Sequence, residues 1–415
     1  MRAALSPGWL GDLRDEAGER FEEMAWPTTE DEEWRRTDIG RFDLSPFLAV
    51  PGRAGEGGCP WQGEPAMAAG YIRFDAGACA ELALATGLQS RGVGLEALGK
   101  VSEPGRSFAA ALLREAFATA ADRVAVWHFA MLEYGALLYV PPGIRVDKPF
   151  FVDIEESGTG RFAAPQLAIV LGEGASATVV SRIRESPGSS VLCNARTDVS
   201  LGPGSALRLF DSRLMGPNSL HFEDARVRLA EASSLDRLEV QLGGRFARTR
   251  VDCLLEGRGA GARLDGLYYC GPGQEADIGV SLRHVSPGAT SKAYYKGAVA
   301  GGGRAVFQGR IDVGEGASGT DAYLSNRNLL LGEAARADSI PTLRIGNDDV
   351  RCSHGSATGR LGDEELFYLR SRGLSEAEAR EILVLGFFED LLANAPESFR
   401  EESLGHLRRR LPAAA

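Results

Sequence analysis

The sequence predicts a mainly β protein, a stacked β-solenoid core between helical N-terminal and C-terminal regions. Three observations carry this reading. From residue 135 onward, strand-like runs rich in Val, Leu, Ile, Tyr and Phe alternate with short Gly, Pro and Ser turns. One turn motif recurs at a nearly constant step. After Leu361 the patterning becomes helical. The expected organisation is an N-terminal mixed, mostly helical region over residues 1–134, a β-helix core over 135–361, and a C-terminal helical domain over 362–415.

The N-terminal region supports its assignment piece by piece. Gly11 to Met24 carries apolar Leu13 and Phe21 among many charges, and Pro27 stops it. In Glu32-Glu-Trp-Arg-Arg-Thr-Asp38, a Trp inside a charged run reads as a local helix anchored to a core. A partner contact is the lesser reading. Residues 51–70 are rich in Gly and Pro and read as a loop. Phe108 to Ala121 is rich in Ala and Leu and reads as helix. Trp127-His-Phe-Ala-Met131 is apolar around one histidine, so His128 is expected in the core.

The recurring turn appears as Leu171-Gly-Glu-Gly-Ala175, Leu201-Gly-Pro-Gly-Ser205, Leu229-Ala-Glu-Ala-Ser233, Glu256-Gly-Arg-Gly-Ala260, Val285-Ser-Pro-Gly-Ala289 and Val313-Gly-Glu-Gly-Ala317. Their first residues lie 30, 28, 27, 29 and 28 apart. A second set of turns, including Gly216-Pro-Asn-Ser219 and Gly301-Gly-Gly303, sits near the half-steps. A fixed period in this range is a solenoid signature, with two long strands and two tight turns per coil. An antiparallel sandwich also spaces its turns regularly. Six copies of one turn favour the solenoid. Glycine recurs because the turn needs positive φ or lets stacked backbones approach. Gly174, Gly204 and Gly316 are therefore expected along one edge. A solenoid has open ends, which need caps or a partner.

Beyond Leu361, Asp363 is placed to cap a helix that Gly373 stops. Ser375-Glu-Ala-Glu378 is a capping box. It opens a helix whose stripe comprises Ile382, Leu383, Leu385, Gly386, Phe387 and Leu391. A last helix runs from Ser398 to Leu411, and Arg408, Arg409 and Arg410 suit the negative end of its dipole.

Composition removes several function classes. The 415 residues are 44% hydrophobic and 25% charged, in the range of a soluble globular protein. A net charge of −11 argues against a nucleic-acid binder. The N-terminus does not read as a secretory signal, and no run approaches the ~20 apolar residues that cross a bilayer. Cys59, Cys79, Cys193, Cys253, Cys270 and Cys352 are widely separated, which fits reduced thiols in a cytoplasmic protein. There is no GxxxxGK[ST] loop, HExxH or GxSxG, so the chain is not expected to hydrolyse ATP or to be an enzyme. Asp348 and Asp349 are adjacent, hence on opposite faces of a strand, and make a poor acid–base pair.

One constellation remains. Cys352 and His354 stand on alternate residues, so an extended backbone points both to one face. Imidazole and thiolate are metal-capable, although a buried Cys and a hydrogen-bonded His are the ordinary alternative.

Asn326-Arg-Asn-Leu-Leu-Leu-Gly332, Asp348-Asp-Val-Arg-Cys-Ser-His-Gly-Ser-Ala-Thr-Gly-Arg360 and Asp363-Glu-Glu-Leu-Phe-Tyr-Leu-Arg-Ser-Arg-Gly373 resemble the SufB/SufD family of iron–sulfur cluster assembly scaffolds, closest on the SufD side. Glu33-Trp-Arg-Arg-Thr37 is weakly similar to the same family. The resemblance implies a right-handed parallel β-helix, a SufB-like paralogue as heterodimer partner, and a SufC-like ABC ATPase docked on the C-terminal helices. It implies a transient iron–sulfur cluster assembled at the SufB–SufD interface, with His354 as the matching ligand and Cys352 as a secondary candidate. Two departures point away from SufB. Asn326 stands where SufB has a functional Cys, and Gly355 follows His354 where SufB has Glu. A homodimer in isolation and a flavin in the complex stay open. Competing readings are a β-helix polysaccharide lyase or hydrolase, and an interaction module without metal.

Overall fold

The computed structural model describes residues 8–48 and 67–411. Most of the loop expected over residues 51–70, with Cys59, lies outside the described residues. Helices α1 (Gly8–Glu23) and α2 (Ser45–Leu48) come first. Strands β1 (Gly70–Asp75) and β2 (Ala78–Leu84), helix α3 (Thr86–Gln89) and strand β3 (Gly94–Ala97) follow, then helices α4 (Gly105–Ala118) and α5 (Arg123–Met131). Short strands β4 (Tyr134–Val140), β5 (Phe150–Glu156), β6 (Thr159–Ala163) and β7 (Pro165–Leu171) begin the solenoid. Longer strands continue it: β8 (Ser176–Glu185), β9 (Ser190–Leu201), β10 (Ala206–Met215), β11 (Leu220–Leu229), β12 (Ser234–Gly243) and β13 (Phe246–Leu255). The run goes on through β14 (Gly261–Cys270), β15 (Glu275–His284), β16 (Thr290–Val299), β17 (Arg304–Val313), β18 (Thr320–Leu330), β19 (Arg336–Ile345) and β20 (Val350–Arg360). Helices α6 (Asp363–Ser371), α7 (Glu376–Leu392) and α8 (Glu397–Arg408) follow.

From β8 onward, consecutive strands go to alternate sheets. Sheet A runs β2-β1-β5-β8-β10-β12-β14-β16-β18-β20, and sheet B runs β3-β4-β7-β9-β11-β13-β15-β17-β19. Neighbouring strands within the solenoid are parallel, with Ala206 beside Ser234, Ser234 beside Gly261, and Gly261 beside Thr290. This is the parallel β-solenoid, and each repeat is one coil. The inward side chains of both sheets form one continuous apolar core, from Ile72 and Phe74 through Val179, Val227 and Leu264 to Leu324. Burial of that strip drives the stacking, because one coil alone cannot cover its own apolar face.

The turns stack as a hydrogen-bonded ladder. Gly174 N–H donates to Pro203 O, Gly204 to Glu231 O, Ala232 to Arg258 O, Gly259 to Pro287 O, and Gly288 to Ser318 O. Each of these donors has positive φ, Ala232 included at 52°. The next rung is Gly319, whose N–H donates to Asp349 O and whose φ is 68°. Gly316 lies in that turn but does not take the left-handed seat. Ser318 and Gly319 lengthen this turn, so the seat moves past the motif that marks it elsewhere.

The N-terminal region combines five α-helices with three short strands among the described residues. β1 extends sheet A in parallel with β5, while β2 and β3 add antiparallel edges to sheets A and B. These strands cover the first coils. Helices α1, α4 and α5 pack over the outer face of β4 and β7 through Leu10, Leu13, Leu113 and Phe129 against Leu137 and Ala168. His128 is a core histidine as expected, with Nδ1 2.7 Å from Asn194 O. Burial lowers its pKa to about 4.

The C-terminal helices fold back on the outer face of sheet A. Val384, Phe388, Leu391, Leu392, Phe399 and Leu407 pack against Phe210, Leu238, Val240, Leu267 and Tyr269. Of the predicted stripe, Leu391 is buried and Leu385 and Phe387 are half-buried, whereas Ile382 is 47% exposed. The capping box at Ser375 and Glu378 forms, and Gly373 stops α6 at φ 95°. Asp363 does not cap. Extended Gly362 holds that position, and Asp363 lies in the first turn, where its charge faces the helix's positive end. Arg410 reaches past the dipole role and donates to Met215 O at 3.1 Å and Leu242 O at 3.4 Å, fastening the tail to sheet A.

Candidate functional site

The two ends of the solenoid differ. At the first coils β2 and β3 form the sheet edges and helices pack alongside. At the other end β19 and β20 are the terminal strands, and no described strand pairs beyond them. Their inward residues Ala337, Leu343, Val350 and Cys352 pack on the core but are only partly buried.

Cys352 and His354 sit on β20. Cys352 is in register with Ala322, and His354 with Leu324. Ala322 and Leu324 are core residues at 1% exposure each, so both candidates occupy core-facing positions on the last described coil. Cys352 is half-buried and His354 is exposed. Burial, then the nearby Asp321 carboxylate, pushes the Cys352 thiol pKa up.

The remaining histidines are less accessible than His354, and His406 is half-buried. His128, His221 and His284 are buried at 1% exposure or less. His284 and His406 are lowered to about 4, chiefly by burial. Cys193, Cys253 and Cys270 are buried, and burial raises each thiol. Among the described residues no three His, Cys, Asp or Glu side chains converge to hold a metal ion. Two donors on one exposed rim can contribute to an iron centre, whose remaining positions must come from elsewhere.

Behind the rim lies a polar network that the sequence did not announce. Asn326 is fully buried, and its amide donates to Tyr268 Oη at 3.0 Å. Tyr268 donates to Asn328 Oδ1 at 2.6 Å, and Asn328 donates to Asn326 Oδ1 at 2.7 Å. Asn328 also donates to Thr358 Oγ1 at 3.4 Å, on the strand that carries His354. The Tyr268 ring lies where a Cβ on Gly297 would be, and the Tyr295 ring where a Cβ on Gly266 would be. A signal was available: Tyr and Gly exchange places at matching positions of successive repeats. Gly355 has its own reason, since a Cβ there would stand 3.0 Å from Tyr323 Oη.

A family model described as SUF system FeS cluster assembly, SufBD core domain, matches residues 153–387. The chain belongs to the SufBD family. An iron–sulfur cluster assembly SufBD family protein of Mycobacterium tuberculosis is 34% identical over 282 residues, which cover 66% of this chain and 70% of that protein. The iron–sulfur cluster assembly protein SufD of Escherichia coli is 32% identical over 246 residues, covering 59% of this chain. That match spans 58% of SufD, under two thirds of its length. A SufBD family protein of Staphylococcus epidermidis is 28% identical over 298 residues, 70% of this chain and 64% of that protein. The matched span contains most of the solenoid, the β20 rim and most of α7. The chain is thus a SufD-like member of an iron–sulfur cluster assembly family.

Proposed function

We propose that this chain is a non-catalytic, SufD-like scaffold subunit that pairs with a SufB-like paralogue through its uncapped end. The observation that carries the reading is the placement of His354 and Cys352 on the core-facing side of the terminal strand β20. A paralogue with a matching end would continue both sheets across the interface by strand addition. Iron and sulfide are the substrates there. His354 would supply a ligand to a transient cluster shared by the two chains, with Cys352 secondary because its thiol holds its proton more tightly.

The helical segment 362–415 is the proposed docking element for a SufC-like ATPase. In support, α7 and α8 are anchored on sheet A, while α6 presents Phe367 at 74% and Tyr368 at 57% exposure. Exposed aromatics of this kind are enriched at partner surfaces. A cytoplasmic location accompanies this role. No described helix is long and apolar enough to cross a membrane.

The experiment is anaerobic co-purification of the tagged full chain with the proteins encoded beside it, followed by iron and sulfide analysis. The reading expects a paralogue and an ATPase in the complex, and iron with sulfide bound after reconstitution. Purification of the chain without either protein, under conditions where both are expressed, would remove it.

A further inference from the structure

The outer face of sheet B carries a groove of about 580 Å³, roofed by residues 32–36 and by the α4–α5 turn. This volume is in the range of small-molecule sites. The roof is the Glu-Glu-Trp-Arg-Arg-Thr run noted in the sequence, and nothing in the cluster-assembly reading uses its arginines. Trp34 is buried, its indole N–H donates to Asp122 at 2.7 Å, and the Arg248 guanidinium stacks 3.6 Å from its ring centre. Thr37 is buried and donates to Asp277 at 2.6 Å. Arg36 O accepts from Arg304 at 2.9 Å. Arg35 and Arg36 therefore sit between two buried anchors on a fixed turn and are themselves exposed.

Two of the arginines at this groove have no carboxylate partner among the described residues. Its lining has eight arginines and five carboxylates, on a chain whose net charge is −11. Every lining carboxylate has a partner. Glu32 meets Arg344, Glu33 meets Arg250 and Arg310, Asp122 accepts from Trp34, Asp224 meets Arg196, and Asp252 meets Arg283. Carboxylates outside the lining also pair with its arginines: Glu115 with Arg226, Asp198 with Arg196, Asp312 with Arg310. Asp277 serves both Arg250 at 3.0 Å and Arg248 at 3.7 Å. Arg248 is lowered to about 10, first by burial and then by Arg250, with Asp277 opposing. Arg35 and Arg36 make no side-chain hydrogen bond or ion pair among the described residues. Between the walls, the floor mixes polar Ser281, Gln308 and Thr342 with apolar Ile340 and Leu254.

We propose that this groove binds a phosphate-bearing small molecule, with Arg35 and Arg36 as its anion-contacting rim. Two guanidiniums on adjacent residues offer forked donors matched to phosphate oxygens. Holding them on an anchored turn lowers the ordering cost of binding.

The test is calorimetric titration of the full chain with pyrophosphate and, separately, with ADP, at low and at physiological salt. The expected result is saturable one-to-one binding that weakens with salt. Arg35→Gln/Arg36→Gln should weaken it by roughly tenfold or more without moving the melting temperature. Thr342→Trp, which fills the floor and leaves both arginines in place, should also weaken it. His354→Ala should bind as the parent does, which separates this site from the cluster site. Tighter binding of ADP than of pyrophosphate would assign the groove body to the nucleoside, and equal affinity would confine the site to the phosphates. Absence of saturable binding by both probes, or parental affinity in either groove variant, would overturn the proposal.

Discussion

Residue by residue, burial decides which titratable groups a partner or solvent can reach. His354 is exposed on the terminal strand, whereas burial is the leading cause that lowers His128, His221, His284 and His406. The same force creates a pH dependence at Glu156. This carboxyl is fully buried, accepts from Tyr134, and is pushed up to about 7 by burial, with Arg161 opposing and Asp75 and Glu155 adding to the rise. In the unfolded chain it titrates near 4.5. The folded state therefore binds the extra proton between these values, and this group's contribution to stability falls as pH rises through that window, by at most roughly 1.4 kcal/mol per pH unit. Glu156→Gln should melt with the parent at pH 5 and above it at pH 8, measured by thermal denaturation. Ala232 gives a second residue-level test. It is the one non-glycine rung of the turn ladder, at φ 52°. Ala232→Gly should stabilise by about 1 kcal/mol in chemical denaturation, because glycine adopts that conformation without the Cβ clash.

At the scale of elements, the strands were legible and the helix faces less so. The strand period showed because each coil repeats the same turn chemistry, and it slipped only at Gly316, where the turn is longer. The apolar stripe of α7 spans too much of the helix to name its buried side. Tertiary contact with sheet A chose Val384 and Phe388, and left Ile382 out. Phe388→Ala should therefore cost about 3–5 kcal/mol by denaturant titration, whereas Ile382→Ala should cost little. The short strands β1, β2 and β3 escaped detection because they repeat nothing and lie among helical segments. The exposed pair on α6 carries the docking prediction. Phe367→Asp/Tyr368→Asp should abolish capture of a SufC-like ATPase in a pull-down and leave the melting temperature unchanged. Deleting residues 362–415 is the poorer test, since it would bare the apolar outer face of sheet A.

For the whole molecule, the governing feature is asymmetry between ends. β2 and β3 bound the first coils, and β19 and β20 bound the last with half-covered core residues. Cys352 and His354 could be placed on one strand face from their spacing alone. Their position at an uncapped end required counting coils to the last one. The buried Asn326, Asn328 and Tyr268 network escaped the sequence because it joins residues about sixty positions apart. Hydrogen exchange should find β19 and β20 the least protected strands of the solenoid in the isolated chain. The same amides should become protected once a SufB-like paralogue is added.

The most direct measurement is the rate of cluster formation, followed by visible absorption and by iron and sulfide content, in the purified complex of paralogue, ATPase and this chain bearing His354→Ala. The account predicts that the complex assembles in normal stoichiometry and that cluster formation falls sharply, with a smaller loss for Cys352→Ser. A His354→Ala complex that assembles normally and builds clusters at the parental rate would contradict it and make this histidine a structural residue.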